Sequence, residues 1–145
     1  MSHSLQKQLT IATQGAGLYE ITQAARSFLA GTPTTASCGL LTVFIQHTSC
    51  SLLIQENADP DVRRDLDAFF ARLVPPADDP SMTYLQHQLE GPDDMPAHIK
   101  AALTATSLAI PVNQGQLLLG QWQGLYLFEH RSAPHRRSVV LHLSG

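Results

Sequence analysis

The chain has 145 residues and a net charge of −3 at neutral pH; 43% of its residues are apolar and only 14% are charged. This length suits one domain with its own core, so we expect a single domain over residues 1–145. The acidic balance argues against nucleic-acid binding, no apolar run approaches the ~20 residues of a membrane helix, and two cysteines cannot form a disulfide framework. We therefore expect a cytoplasmic protein without nucleic-acid or membrane partners, and the low charge favours a surface partly covered by other copies of the chain.

The first half of the chain predicts three strands around one helix. Residues 5–11 alternate apolar and polar side chains, which indicates a half-exposed antiparallel strand. Residues 21–29 place apolar side chains at helical spacing, and Gly31 and Pro33 are typical of the end of that helix. Residues 38–46 predict a buried strand, and residues 51–55 predict a second, shorter one.

The second half begins with a strong helix start, because Asp59 can cap and Pro60 suits the first turn. That helix ends at residues 74–76, a loop follows, and Pro96 opens another short helix. Four further strands are predicted at residues 108–112, 116–119, 125–129 and 138–143, while residues 131–137 resemble a solvated loop. This order of elements is neither regularly alternating nor all-β, so we expect an α+β fold.

Three histidines are candidate metal ligands: His47 directly after the buried strand, His87 in a loop and His98 on the last helix. Three imidazoles converging from different elements suit a catalytic zinc with one open position. The spacing of His87 and His98 matches no common zinc motif. His47 can equally be an imidazole at the edge of the core, bonded to backbone.

The acidic candidates also have two interpretations each. Glu56 can be a general base, a partner that orients a metal-bound histidine, or a neighbour of the following helix start. Asp59 is most simply the cap of that helix. Asp93 and Asp94 can bind Mg²⁺ together with substrate phosphates, or can simply favour the start of the next helix.

A late segment and a basic run complete the candidates. Gly120 and Gly124 flank Trp122, which allows close approach of a ligand or of another chain. Arg131, Arg136 and Arg137 can form an anion-binding rim or a solvated surface.

A series of blocks in a fixed order resembles the YjbQ family, described as secondary thiamine-phosphate synthases. The blocks are His47-Thr-Ser-Cys-Ser-Leu, Glu56-Asn-Ala-Asp-Pro60-x-Val62-Arg-x-Asp65-Leu66, His87-x-x-Glu90-Gly91-x-Asp93-Asp94-Met95-Pro96-Ala97-His98-Ile99-Lys100, Ile110-Pro111-Val112, Leu119-Gly120-x-Trp122-Gln123-Gly124, Glu129-His130-Arg131 and Arg136-Arg137. The resemblance implies a β-sandwich-like α+β subunit with about three helices, a homotrimer, and a pocket with zinc at His47, His87 and His98. The sequence departs from the family pattern at Ser49, Cys50 and Gln55, so its substrate can differ from that of other members.

The activity implied by the resemblance joins a pyrimidine pyrophosphate to a thiazole phosphate and releases pyrophosphate. Under this hypothesis Glu56 and Asp94 are catalytic, with zinc as the expected metal and Mg²⁺ as a possible second one. The residues expected to bind a small anionic substrate are Asn57, Lys100, Trp122, Gln123 and Arg137. Two alternatives remain open: a zinc-dependent hydrolase or lyase, because three imidazoles suit zinc better than Mg²⁺, and a non-catalytic trimeric protein that binds a metal or an anionic metabolite.

Overall fold

The structure, a computed structural model, describes residues 4–32 and 38–145, and its elements confirm the α+β prediction. The strands are β1 Ser4–Gln14, β2 Gly17–Glu20, β3 Cys38–Ile45, β4 Cys50–Glu56, β5 Ser107–Asn113, β6 Gln116–Leu117, β7 Gln123–Glu129 and β8 Pro134–Ser144. The α-helices are α1 Thr22–Ala30, α2 Pro60–Leu73 and α3 Asp94–Leu103, and a 3₁₀ turn covers Pro80–Met82. No helix of these residues is long and apolar enough to cross a membrane.

The strands form two antiparallel sheets with a shared core. The larger sheet has the order β1-β8-β3-β5-β6, and the smaller one has the order β2-β7-β4. Side chains alternate between the two faces of each strand, so Leu41 and Val43 of β3 are buried while Leu40 and Phe44 point outward. The buried cluster joins both sheets with α1 through residues such as Phe28, Leu41, Leu127 and Leu141.

Local sequence explains several element ends. The Asp59 carboxylate accepts the backbone N–H of Asp61 at 2.9 Å, and Pro60 occupies the first turn, so α2 begins as predicted. Between β5 and β6 the chain turns at Gln114 and Gly115, which have φ values of 50° and 76°. Two successive positive φ values are typical of a two-residue hairpin, and glycine adopts this conformation readily.

Three predictions about elements are wrong. Residues 131–137 are not a solvated loop, because β8 begins at Pro134 and Arg137 is only 4% exposed. The last helix begins at Asp94 rather than at Pro96, since a proline in the first turn lacks only an N–H that no helical carbonyl would accept. The predicted strand at 116–119 ends at Leu117. The sequence patterns also do not predict the short strand β2, which pairs with β7. The predicted helix end at Pro33 lies outside the described residues.

Candidate metal centre

Four side chains that are typical metal ligands meet at the start of α3. His87, Glu90, Asp94 and His98 each offer one ligand atom, and these atoms all lie within 4.8 Å of one another. Asp94 and His98 are four residues apart on one helix face, and His87 and Glu90 come from the preceding loop. Asp94 Oδ2 lies 2.7 Å from His87 Nε2 and 3.1 Å from His98 Nε2. Glu90 Oε2 lies 3.4 Å from His87 Nε2 and completes the group from the solvent side.

Arg131 fixes the carboxylates of this group. Its NH1 donates to Asp94 Oδ1 at 2.7 Å, its Nε donates to Asp93 Oδ2 at 2.9 Å, and its NH2 donates to the Glu90 carbonyl at 3.1 Å. Burial alone would raise the pKa of Asp93, but the hydrogen bonds from Arg131 and Ser132 lower it to about 2. Burial would also raise the pKa of Asp94. Its side-chain hydrogen bonds and the positive charge of Arg131 outweigh burial, so the pKa of Asp94 lies below its usual value. Both carboxylates are therefore ionised and held in place at neutral pH.

The protonation of the two imidazoles shows what this group lacks. His98 Nδ1 lies 2.8 Å from the Thr48 carbonyl oxygen, which can only accept, so Nδ1 carries the ring proton. In a neutral ring the Nε2 lone pair then faces Asp94 Oδ2, which is also an acceptor. The hydrogen bond to Asp94 raises the pKa of His87, so positive charge is favoured on the His87 ring beside this carboxylate. A metal cation placed among His87 Nε2, His98 Nε2 and Asp94 Oδ2 would bind a lone pair of each.

The donor set and its spacing fit zinc. Two imidazoles with one or two carboxylates are ordinary zinc ligands, and ligand atoms in a tetrahedral zinc site lie roughly 3.4 Å apart for bonds of about 2.1 Å. The separations of 2.7, 3.1 and 3.4 Å between neighbouring donors are near this spacing, and the other pairs of the group lie within 4.8 Å. The bond from His98 to Thr48 is the outer contact that commonly orients a zinc-bound histidine. The group could therefore hold a metal through His87, Asp94 and His98, with Glu90 beside it.

His47 lies outside this group. Its Nε2 accepts the backbone N–H of Ser138 at 2.8 Å, and its Nδ1 lies 3.4 Å from Arg137 NH1. Burial and then the positive charge of Arg137 lower the pKa of His47, so its ring is neutral at pH 7. The structure thus brings together two of the three histidines of the predicted zinc site and places the third against β8.

Glu129 is a buried carboxylate that the sequence analysis did not single out. It accepts from Thr13 Oγ1 at 2.6 Å, from Arg137 Nε at 2.8 Å and from Arg137 NH2, and also from the backbone N–H groups of His130 and Arg131. Arg137 was predicted to bind substrate, and here Glu129 holds its Nε and NH2 in the interior, whereas its NH1 faces His47. The available signal was position: Glu129 ends the apolar strand β7 and lies two residues before Arg131.

The other predicted site residues lie at the far end of β4. Glu56 pairs with Gln123 in the sheet, and the Asn57 N–H donates to the Trp122 carbonyl at 3.0 Å, whereas Cys50 at the near end pairs with Glu129. Six residues of extended strand separate the two ends, which is roughly 20 Å. Within one chain these side chains do not meet the His87 group.

Lys100 lies on α3 but on a different side from the metal ligands. It follows His98 by two residues, which is about 200° around the helix. Burial lowers the pKa of this lysine. The negative charges of Asp67 on α2 and then of Asp93 oppose this lowering of the Lys100 pKa.

The fold and the donor group define a small α+β protein with one candidate metal centre in its described part. The family model for UPF0047 protein YjbQ-like matches residues 7–145, and the chain belongs to this family, as its sequence blocks indicated. It is 51% identical over 142 residues to UPF0047 protein sll1880 of Synechocystis, covering 97% of this chain and 91% of that protein. It is 41% identical over 140 residues to UPF0047 protein YjbQ of Escherichia coli O157:H7, covering 97% of each.

Solved structures show the same fold. The conserved hypothetical protein TT1486 of Thermus thermophilus superposes with a TM-score of 0.77 at 34% identity, covering 92% of this chain and 97% of that one. The hypothetical protein APE1520 of Aeropyrum pernix gives a TM-score of 0.80 at 25% identity, covering 94% and 96%. The names of these relatives state no activity.

Proposed function

We propose that this protein is a zinc-dependent enzyme that acts on a small anionic metabolite, with the metal held by His87, Asp94 and His98. The observation that supports this most is the bond from His98 Nδ1 to the Thr48 carbonyl, since it leaves the Nε2 lone pair directed into an acidic group. Zinc suits the two imidazoles better than Mg²⁺ does. A Mg²⁺ site at Asp93 and Asp94 is disfavoured because Arg131 already engages both carboxylates.

The residues around the metal position have separate tasks in this proposal. Zinc, when bound, would polarise an oxygen of the substrate or lower the pKa of a bound water. Arg131 holds Asp94 against both histidines. Glu90, which is exposed and 3.4 Å from His87, offers a carboxylate that can take up a proton at the open side of the group. Glu56, at the far end of β4, takes no part within the same chain.

The specific reaction we propose is the one implied by the family resemblance, the joining of a pyrimidine pyrophosphate to a thiazole phosphate as a weak or secondary activity. Pyrophosphate release in the presence of both substrates measures it, and zinc-loaded protein should exceed the zinc-free rate at least tenfold. A rate equal to that of buffer would leave a zinc-dependent hydrolase or lyase as the second candidate, favoured by the imidazole-rich donor set. A ligand that is bound and recovered unchanged would indicate a non-catalytic binding protein.

The metal itself is tested by titrating zinc into metal-free protein. Asp94→Asn removes the charge that lies between the two histidines, and we expect zinc affinity to fall at least 100-fold, with one zinc per chain in the unchanged protein. Glu56→Gln is the matched control, since it makes the same chemical change at the other end of β4 and should leave zinc affinity within twofold. Equal zinc binding by the unchanged protein and Asp94→Asn would contradict the proposed centre.

A homotrimer is the proposed assembly, and the larger sheet offers a surface for it. The face of this sheet opposite the core carries uncharged residues across adjacent strands, including Leu40, Thr42, Phe44, Ala109, Val140 and His142. Arg136 of β8 is also exposed on this face, but a sheet face with exposed Leu and Phe side chains is typical of a surface covered by another chain. Sedimentation should give roughly 47 kDa, three times the 15.8 kDa of one chain, and 15.8 kDa at micromolar concentration would contradict it. The cytoplasm stays the proposed compartment, since buried Cys50 forms no disulfide.

A further inference from the structure

The two ring nitrogens of His47 pose a hydrogen-bonding conflict. Nε2 accepts the Ser138 backbone N–H at 2.8 Å, so in the neutral ring the single proton must be on Nδ1. Nδ1 faces Arg137 NH1 at 3.4 Å, and a guanidinium can only donate. Two donors therefore point into the same space, and neither satisfies the other.

The second donor cannot turn away. Arg137 Nε and NH2 are bound by the Glu129 carboxylate, and NH2 also donates to Ser49 Oγ at 3.0 Å and to the Ser49 carbonyl at 3.3 Å. The side chain is 5% exposed, and NH1 has no other hydrogen-bond acceptor among residues 4–32 and 38–145. His47 is half-buried, so part of this residue faces solvent beside the buried guanidinium. The pair is a rigid, preformed set of two N–H groups.

We infer that His47 Nδ1 and Arg137 NH1 bind an anionic oxygen of the substrate, phosphoryl or carboxylate. An oxygen at about 2.9 Å from each of two nitrogens 3.4 Å apart completes both hydrogen bonds with an N–O–N angle of roughly 72°. Charge-assisted hydrogen bonds from a guanidinium to such oxygens are among the stronger polar contacts in proteins. His47 is then a binding residue and not a metal ligand.

This site deepens the proposed function and rests on it for its role, because it lies beside the metal centre. Thr48, the residue after His47, provides the carbonyl that orients His98. The centre itself is acidic, with Glu90, Asp93 and Asp94, so an anionic substrate needs donors outside it. Arg131 cannot serve, since all three of its guanidinium nitrogens already donate to Asp93, Asp94 and the Glu90 carbonyl, whereas Arg137 keeps NH1 for the anion.

Two variants of His47 separate its nitrogens. His47→Gln places an amide near the Nε2 position, where it can accept from Ser138, and removes the Nδ1 donor. His47→Asn places an amide near the Nδ1 position and can still donate to the ligand. Titrating inorganic phosphate and, separately, acetate into metal-free protein should show at least tenfold weaker binding for His47→Gln and no more than threefold weaker binding for His47→Asn. The anion that binds more tightly identifies phosphoryl or carboxylate as the natural group.

Three results would overturn the inference. These are unchanged anion binding in His47→Gln, no binding of either anion by the unchanged protein at millimolar concentration, and loss of zinc from His47→Gln, which would make His47 a ligand. Thermal midpoints of both variants within a few degrees of the unchanged protein confirm that they fold. If the unchanged protein binds phosphate and binds no zinc, the proposed metal function fails and the anion site stands.

Discussion

One glutamate lies at each end of β4 in opposite environments: Glu129 of the paired strand β7 beside the near end, and Glu56 of β4 itself at the far end. At the near end, Cys50 pairs with Glu129, a fully buried carboxylate that accepts five hydrogen bonds and neutralises Arg137. At the far end, Glu56 is partly exposed and has no ion-pair partner in the described part of the chain. A buried carboxylate must keep its partners, since an unpaired charge in the interior is costly, whereas a solvated one contributes little. Substitutions at the two ends should therefore differ in their effect on stability.

We expect the largest difference in thermal stability when a glutamate is replaced by glutamine at each end of β4. Glu129→Gln leaves Arg137 buried without its counter-charge, and breaking such a pair costs about 3–5 kcal/mol of unfolding free energy. For a domain of this length that corresponds to a fall in the thermal midpoint of roughly 10–15 °C. Glu56→Gln should change the midpoint by less than about 2 °C, as is usual for surface substitutions. Thermal unfolding of both variants in the same buffer tests the pair, and equal midpoints would contradict the structural role of Glu129.

Acid should destabilise the near end through His130. Its Nε2 bonds Ser51 Oγ at 2.9 Å, its Nδ1 is buried without a hydrogen-bond partner among the described residues, and burial lowers its pKa to about 3. In the unfolded chain the pKa of a histidine is about 6.5, so between pH ~6.5 and 3 His130 takes up a proton when the protein unfolds. The contribution of neutral His130 to the free energy of unfolding is therefore fully present above pH ~6.5. It is lost as the pH falls toward 3, with a slope approaching about 1.4 kcal/mol per pH unit.

A variant isolates the contribution of His130 to this slope. His130→Gln keeps an amide near the Nε2 position for Ser51 and removes the titrating ring. Urea unfolding at several values between pH 6.5 and 4.5 should give a shallower dependence for His130→Gln. The lowered pKa of Asp93, about 2, acts only below pH ~4 and does not enter this range. Parallel pH curves for the two proteins would show that His130 does not dominate acid sensitivity.

The elements that local patterns determine were predictable. The apolar run that forms β3 and the Asp59-Pro60 start of α2 depend on near neighbours, and both elements lie where they were predicted. The wrong prediction for residues 131–137 has a physical reason: three arginines and a histidine indicate solvent unless their partners are known. The partner of Arg137 is Glu129, eight residues away on an adjacent part of the fold.

The candidate site was predictable only where it is local. Asp94 and His98 are one helical turn apart, so sequence places them together, and the His87 block lies just upstream. Arg131, which fixes Asp94, comes from 37 residues away and depends on the packing of α3 against β4, the neighbour of β7 in the smaller sheet. Glu56 was a candidate partner of a metal-bound histidine, and it follows His47 closely in sequence. The seven residues of the extended strand β4 nevertheless carry Glu56 far from the His87 group.

The smallest effect is expected at the far end, where α2 begins just after β4. The described side chains of α2 include none that is fully buried, so the helix depends on its cap, and Asp59→Ala removes the 2.9 Å bond to the Asp61 N–H. Loss of such a cap costs about 1 kcal/mol, or roughly 3–4 °C in the thermal midpoint. Asp59→Ser restores a capping oxygen and should recover most of that loss. Because this cap lies beyond the far end of β4, Asp59→Ala should leave zinc affinity unchanged within twofold, and a larger decrease would show that the two ends are coupled.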